Sequence, residues 1–149
     1  MLILDDAEGM RTETLDLVRR LTAHALDGVE HVSILLAGTE QLLDTLRDPT
    51  LVPLRTRFSY VHPLRAFGIE DARNYVNFHV TTAGGPTKLF SDGAVTALFN
   101  ASQGVPRQLN QLALQALVDA VVQGRDTVDD NLMRRVLQLH PLYANPRNA

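Results

Sequence analysis

The sequence contains no cysteine among its 149 residues, and Lys88 is its only lysine. The absence of cysteine excludes disulfides, thiolate nucleophiles and cysteine-based zinc sites, and it leaves the redox compartment undecided. No apolar run approaches the roughly 18 residues needed to span a membrane. The N-terminus has neither a basic region nor a signal-like cleavage site. We therefore expect a soluble cytoplasmic protein with no membrane span.

Net charge, length and composition narrow the classes of protein function further. A net charge of −3 disfavours a wholly basic nucleic-acid binder, although a local basic face is still allowed. A hydrophobic fraction of 45% is enough for a core in a single domain or a piece of a larger one. The five histidines lack the spacing of a metal site, and no nucleophile motif such as G-x-S-x-G occurs.

The first part of the chain alternates strand and helix patterns. The continuous apolar run at 31–37 is typical of a strand that is covered on both faces, as in a parallel sheet. This order predicts part of an α/β sheet with right-handed crossovers. The predicted elements are strands at 1–4, 31–37 and 58–61 and helices at 12–25 and 41–47, the first helix capped by Thr12 or Thr14.

Only helices are predicted after residue 66. They are a helix at 69–83, one from the cap Ser91 to the stop Gly104, one from Pro106 to Gly124, and one that begins in a capping box at Thr127 and runs to about Leu139. We therefore predict an α/β part at 1–64, an all-helical part at 65–140 and an irregular tail at 141–149.

Two adjacent acids, Asp5 and Asp6, follow the first predicted strand. Ligands of open parallel sheets bind at the carboxyl ends of the strands. A carboxylate there can hold Mg²⁺, and a second one can orient a water for attack on a phosphoryl group. Acids after a strand are also common as turn or cap residues, so both interpretations stay open at this point.

Three later features favour the chemical interpretation. Thr39 follows the second strand at the same sheet edge, and Arg55 and Arg57 precede the third. The run Gly-Val-Pro-Arg-Gln-Leu-Asn places Arg107 and Asn110 at the start of a helix. None of these is specific alone, and the information lies in their order and spacing.

With these motifs together, the chain resembles the second half of an AAA+ ATPase of the ExeA-like and TniB-like group. The resemblance extends from residue 1 to about 139. Its segments are LILDDA, LAGT, LRTRF, LFSDGAV and, most specifically, GVPRQLN. It implies the C-terminal part of a P-loop NTPase parallel sheet followed by an all-helical lid, and a protein that uses ATP and Mg²⁺.

The same resemblance implies roles for three residues of the α/β part. Asp5 falls on the Mg²⁺-associated Walker B aspartate. Asp6 falls where the group usually has the glutamate that polarises the attacking water. Thr39 falls on sensor 1, which reads the γ-phosphate.

It also implies roles for the arginines. Arg57, or less favourably Arg55, falls on the arginine finger that acts on a neighbouring subunit's nucleotide. Arg107 falls on sensor 2, with Asn110 of the same motif also on the nucleotide side. Arginines and the metal would offset the negative charge that builds up in phosphoryl transfer.

Two departures from the group's pattern affect the expected activity. Asp6 is one methylene shorter than glutamate, and an attacking water is sensitive to displacements of about 1 Å, so slower hydrolysis is expected. No G-x-x-x-x-G-K-[ST] run occurs, and Lys88 in GPTKL lacks that order. We expect this chain alone to bind ATP poorly, as a truncated gene product or one with a misplaced start codon would.

Two functions remain in competition. One is a piece of an ATPase that drives DNA transposition or assembly of a secretion apparatus, with DNA or a transposase as possible partners. The other is a non-enzymatic module that docks on intact AAA+ subunits and offers Arg57 in trans. Both predict a homo-oligomer or a complex with related subunits.

Overall fold

The structure is a computed structural model that describes residues 1–23 and 32–141. It contains two compact units, Met1–Pro63 and Leu64–Ala149. The elements are β1 (Leu2–Leu4), a 3₁₀ turn (Ala7–Gly9), α1 (Thr12–Ala23), β2 (Ile34–Leu36), α2 (Glu40–Leu46), a 3₁₀ turn (Pro49–Leu51), α3 (Val52–Arg55), α4 (Ile69–Thr82), α5 (Asp92–Ser102), α6 (Pro106–Val122) and α7 (Asp130–Leu139). Within the described ranges, no helix is long and apolar enough to cross a membrane.

The two strands form a parallel pair, as the sequence predicts. Ile3 is in register with Leu35 at the centre of the ladder. Beyond the strands, the N–H of Ala37 donates to the carbonyl of Leu4 at 2.8 Å, and the N–H of Ala7 donates to the carbonyl of Ala37 at 2.9 Å. These bonds hold the segments after β1 and β2 side by side at one edge of the sheet.

The prediction that the second strand is covered on both faces is wrong for the described residues. Ile3 is 54% exposed and Leu35 is 50% exposed. The opposite face, with Leu4, Ile34 and Leu36, packs on the core of the first unit. One face of this small sheet therefore remains apolar and uncovered by the residues that the structure describes.

The start of α1 also differs from the prediction. Thr12 is already the first helical residue, and the carbonyl of Arg11 accepts the N–H of Leu15 at 3.1 Å, so neither Thr12 nor Thr14 is the cap. The predicted helix end near Ala25, like the predicted strand start at His31, lies outside the described residues. The core beneath α1 contains Ala7, Leu15, Val18, Leu42, Leu46, Leu51 and Leu54.

The predicted third strand at 58–61 does not form. Instead α3 closes with bonds from the N–H of Arg57 to the carbonyl of Leu54 and from the N–H of Phe58 to that of Arg55. Phe58 packs against the first core, while Tyr60 is exposed. A strand requires a neighbour, and β1 and β2 pair only with each other among the described residues.

The described part of the second unit contains four helices, and the sequence predicts the bounds of the first three to within two residues. The Ser91 hydroxyl accepts the N–H of Ala94 at 3.1 Å and so caps α5. Pro106 begins α6, where its missing N–H does no harm. α5 packs on α4, α6 and α7. The buried hydrophobic residues of its core are Ala72, Val76, Phe90, Ala94, Val95, Leu98, Leu109, Leu112, Ala116, Ala120, Val128, Leu132, Met133 and Val136.

The capping box predicted at Thr127 is not formed, and α7 begins later. Asp129 is the cap, because its Oδ1 accepts the N–H of Leu132 at 2.8 Å. The preceding Val128 is extended instead: its N–H donates to the carbonyl of Leu89, and its carbonyl accepts the N–H of Ser91. This pairing with a distant segment delays the helix.

Candidate functional site

Asp5 and Asp6 lie at the turn that follows β1, and both are exposed. The Oδ1 atom of Asp5 accepts the N–H of Asp6 at 3.0 Å. Asp6 has φ of 51° and ψ of 38°, a left-handed conformation in which aspartate is enriched. The buried Ala7 then anchors the turn to the segment after β2. The two carboxylates therefore project from a fixed, sharply bent turn.

Thr39 follows β2 at the same sheet edge. It occupies the N-cap position of α2 with φ of −74° and ψ of 177°, yet its side chain makes no capping hydrogen bond. Its hydroxyl is thus not used by its own helix. The parallel pairing of β1 and β2 places the Asp5–Asp6 turn and the Gly38–Thr39 turn at the same end of the ladder.

Glu8 is a residue that the sequence analysis missed. Its carboxylate lies against the Gly38–Thr39 turn, since a Cβ on Gly38 would come within 2.5 Å of Glu8 Oε2. The pKa of Glu8 is lowered by its own backbone N–H and then by the N–H and hydroxyl of Thr39, while partial burial opposes the shift. The only sequence signal was an acid two residues beyond Asp6.

The two candidate fingers differ in their surroundings. The Arg55 guanidinium donates to the carbonyl of Leu46 at 3.4 Å, which ties it to the end of α2. Arg57 is exposed and lies two residues beyond the end of α3. The strand expected after these arginines is absent, so they end a helical turn and do not lead into a strand.

Arg107 and Asn110 lie in the second unit. Arg107 is exposed and lies in the first turn of α6. That first turn contains no acidic residue. A cation at the positive end of a helix dipole is unfavourable for the helix itself. Asn110 donates from Nδ2 to the hydroxyl of Tyr75 on α4 at 3.0 Å. Its amide is therefore engaged within the unit.

The turn before α6 depends on a glycine. Gly104 has φ of 73°, and a Cβ there would lie 2.2 Å from the carbonyl oxygen of Phe67. The N–H of Phe67 donates to the carbonyl of Gly104 at 2.9 Å. The glycine of the GVPR run thus lets two backbone segments meet and fixes where α6, and with it Arg107, begins.

A metal at this edge would have few protein ligands. No group of three histidine or acidic side chains lies together in the described parts of the chain. Mg²⁺ commonly keeps several waters and binds one or two carboxylates together with substrate phosphates. The exposed carboxylate of Asp5 fits that kind of site.

Comparison with known proteins gives one curated relative and several solved structures. No family model matches the chain. General secretion pathway protein A from Aeromonas hydrophila is 28% identical over 124 residues, which are 83% of this chain and 23% of that protein. The chain thus spans about a quarter of the length of this relative.

The structural matches extend over almost the whole chain. The Holliday junction branch migration motor RuvB of Thermotoga maritima matches with a TM-score of 0.72 and 16% identity, over 93% of this chain and 43% of that one. A variant of the same motor matches with a TM-score of 0.72 and 15% identity. At this identity the likeness concerns the fold, and it confirms the predicted fold class. The chain is therefore similar in sequence to general secretion pathway protein A, and it has the fold of the matching part of the RuvB motor, with a short parallel sheet and a helical unit.

Proposed function

We propose that this chain supplies the Walker B, sensor and arginine-finger part of an AAA+ ATPase site. The observation that carries the proposal is the parallel pair of β1 and β2, after which Asp5, Asp6 and Thr39 follow at one sheet edge. Homology to general secretion pathway protein A supports it. A segment that contains a P-loop has to complete the site.

In this proposal each side chain at the sheet edge has one task. Asp5 would hold Mg²⁺, and the bound ion would offset the charge of the phosphates. Asp6 accepts a proton from the attacking water and orients it. Thr39 donates its hydroxyl to a phosphate oxygen, a role that requires a hydroxyl not used to cap α2.

Two arginines that come later in the sequence would offset the negative charge of the phosphates. Arg57 is the proposed finger, since the resemblance to the AAA+ group favours this position over Arg55. Arg107 is sensor 2. Asn110 takes a supporting role, since its amide binds Tyr75.

Nucleotide binding by this chain alone is expected to be poor. The sequence has no G-x-x-x-x-G-K-[ST] run, whose backbone N–H groups would cradle the phosphates. The proposal therefore concerns a site that this chain builds together with a P-loop segment.

We propose two cellular processes in which such an ATPase would act, secretion and DNA transposition. The relative's name refers to general secretion, and the TniB-like resemblance implies DNA transposition. We propose a homo-oligomer or a complex with intact AAA+ subunits, working in the cytoplasm where ATP is available. DNA or a transposase is a further proposed partner.

A chimera tests this function. The segment that precedes the matching region in general secretion pathway protein A, which the resemblance implies contains the P-loop, is fused before Met1. We expect this chimera to bind ATP in the presence of Mg²⁺ and to hydrolyse it, while this chain alone binds weakly. A correctly folded chimera that fails to bind ATP contradicts the proposal.

A second candidate is a docking module without turnover of its own. It is favoured by the apolar sheet face of Ile3 and Leu35, which is half exposed. Parallel sheets are normally covered on both faces. A partner subunit that covered the apolar face of Ile3 and Leu35 would remove apolar surface from water and so stabilise the complex.

Mixing experiments distinguish this candidate. Adding the chain to general secretion pathway protein A is expected to raise its ATP turnover if Arg57 acts in trans. Arg57→Ala is expected to abolish the gain. Arg47→Ala, at an exposed arginine that pairs with Asp44 three residues earlier, serves as the matched control. A rate unaffected by the chain speaks against the docking role.

A further inference from the structure

Helix α6 carries apolar residues on two opposite sides. Its buried side, which packs on the core, consists of Leu109, Leu112, Ala116 and Ala120. At about 3.6 residues per turn, four further apolar residues fall within about 100° of one another on the other side of the helix. This outer stripe consists of Leu114, Val118, Val121 and Val122, with exposed fractions of 63%, 49%, 78% and 79%. The described residues therefore cover only one of the two apolar sides of α6.

The outer side of α6 also lacks the charges that normally face water. From residue 108 to residue 124 the sequence contains a single charged residue, Asp119. Asp119 is only partly exposed, and its Oδ1 atom accepts a hydrogen bond from Nε2 of Gln115 at 3.1 Å. The neighbouring α7 differs, because Arg134 and Arg135 are exposed on it. A helix that is apolar on all sides is ordinarily buried, so we expect the outer stripe to be covered by a partner.

The spacing of the outer stripe makes it complementary to itself. Leu114 and Val122 each lie four residues from Val118, one before it and one after it. When two α6 helices pack antiparallel with Val118 at the two-fold axis, Leu114 of each copy lies level with Val122 of the other. The stripe contains no charged residue, so the contact places no like charges against each other and favours no charged partner. A second copy of the chain thus supplies the matching surface.

The area of the outer stripe indicates a contact of modest affinity. Its four residues expose roughly 400 Å² on each copy, which is within the range of the largest apolar patch on a typical protein surface. A dimer would bury roughly 800 Å² of stripe surface in total, whereas stable interfaces bury about 1,200 Å² or more. The exposed Gln111 and Gln115 beside the stripe add polar surface to the contact. We therefore expect a reversible dimer with a Kd between about 10 µM and 1 mM.

We propose that the outer stripe of α6 is a self-association surface, on which a second copy of this chain packs its own α6 antiparallel about a two-fold axis at Val118. The proposal is independent of the proposed ATPase site, because no residue of the stripe belongs to that site. A two-fold contact brings the same surface of both copies together. An arginine finger that acts on a neighbour's nucleotide requires two different surfaces instead, so one chain can form both kinds of contact.

Sedimentation velocity of the full chain at concentrations from about 5 µM to 1 mM measures this association. We expect the average sedimentation coefficient to rise reversibly with concentration. Val118→Glu should raise the Kd at least about tenfold, because the new carboxylate would be buried at the axis. Leu17→Glu, at a 57% exposed leucine on α1, is the matched control and is expected to leave the Kd unchanged. A wild-type chain that stays monomeric throughout, a Val118→Glu variant that associates like the wild type, or an equal loss in Leu17→Glu overturns the proposal.

Single cysteines test the antiparallel geometry directly, since the chain has no cysteine of its own. Under a mild oxidant, Val118→Cys should form a disulfide-linked dimer, because the two copies of this position meet at the axis. Leu114→Cys alone should not, because its two copies would lie about 12 Å apart along the helices, and a disulfide requires Cα atoms within about 7 Å. An equimolar mixture of Leu114→Cys and Val122→Cys should give the mixed dimer. Absence of a Val118→Cys dimer, or Leu114→Cys homodimers that form as fast, overturns the proposal.

Discussion

At the scale of single residues, Asp6 combines two requirements that pull in different directions. Its left-handed backbone favours a short polar side chain, because aspartate tolerates positive φ better than most residues. Catalysis of the proposed kind would favour the longer glutamate. The backbone thus gives a reason for aspartate here that the sequence pattern alone does not contain.

Substitutions at Asp6 separate these two effects in the ATP-hydrolysing chimera. We expect Asp6→Glu to raise kcat by roughly tenfold, because the added methylene brings the carboxylate toward the attacking water. Asp6→Asn should keep the turn, since asparagine also tolerates this conformation, and lower kcat. Steady-state ATP turnover measures both. An Asp6→Asn variant that hydrolyses ATP as fast as the unsubstituted chimera contradicts the role given to Asp6.

The sequence could predict those residues of the sheet edge whose positions depend only on the local pattern. Asp5, Asp6 and Thr39 follow hydrophobic runs, so their places at strand ends were predictable from the pattern. Glu8 was not, because its relation to Thr39 depends on the register of two strands 30 residues apart. The need for glycine at position 38 is visible only once the Glu8 carboxylate is in place.

At the scale of elements, two glycines with positive φ differ in what surrounds them. Gly104 lies at the turn before α6 and Gly124 at its end, with φ of 73° and 63°. A Cβ at position 124 meets nothing within 4 Å, whereas one at position 104 would overlap the carbonyl of Phe67. A Cβ at position 124 would therefore cause backbone strain alone, whereas a Cβ at position 104 would cause backbone strain and a steric clash.

Alanine substitutions should show this difference in the free energy of unfolding. We expect Gly124→Ala to cost about 1–2 kcal/mol, from the left-handed conformation alone. Gly104→Ala should cost at least about 2 kcal/mol more, because two backbone segments must separate. Urea denaturation followed by circular dichroism measures both. Equal losses contradict the close contact of Gly104 and Phe67.

The misplaced element boundaries have a common physical cause. Thr127 fits a capping box locally, but Val128 pairs with the segment around Phe90 and delays the start of α7. The run at 58–61 has strand-like residues, but none of the described segments pairs with it as a strand. Local patterns predict what a segment can form, and long-range pairing decides whether it does.

At the scale of the whole molecule, each unit has its own core. Among the described residues, the core of the second unit contains 14 buried hydrophobic residues, and that of the first contains seven. The first also leaves an apolar sheet face uncovered by the described residues. The larger core is the one expected to be stable in isolation.

Expression of residues 64–149 alone tests this expectation. We expect a helical spectrum and a cooperative thermal transition. Leu98→Ala, at a fully buried position, should lower the free energy of unfolding by about 2–5 kcal/mol. Val121→Ala, at an exposed position on α6, should change it by less than about 0.5 kcal/mol. A non-cooperative transition of the isolated unit contradicts an independent core.

The sequence could predict the α/β-then-helical order of the whole chain, because strand and helix periodicities differ. It could not predict how many neighbours each strand has. A continuous apolar run such as 31–37 indicates a buried strand, but the coverage of Leu35 depends on elements that the run itself does not encode.

The account's central claim is that Asp5 is the metal-side carboxylate of an ATPase site. The most direct measurement is Mg²⁺-dependent ATP turnover by the chimera with Asp5→Asn, compared with Asp44→Asn, an exposed aspartate on α2. We predict a loss of about a hundredfold or more for Asp5→Asn and turnover close to the unsubstituted chimera for Asp44→Asn. Equal turnover in both variants would contradict the account.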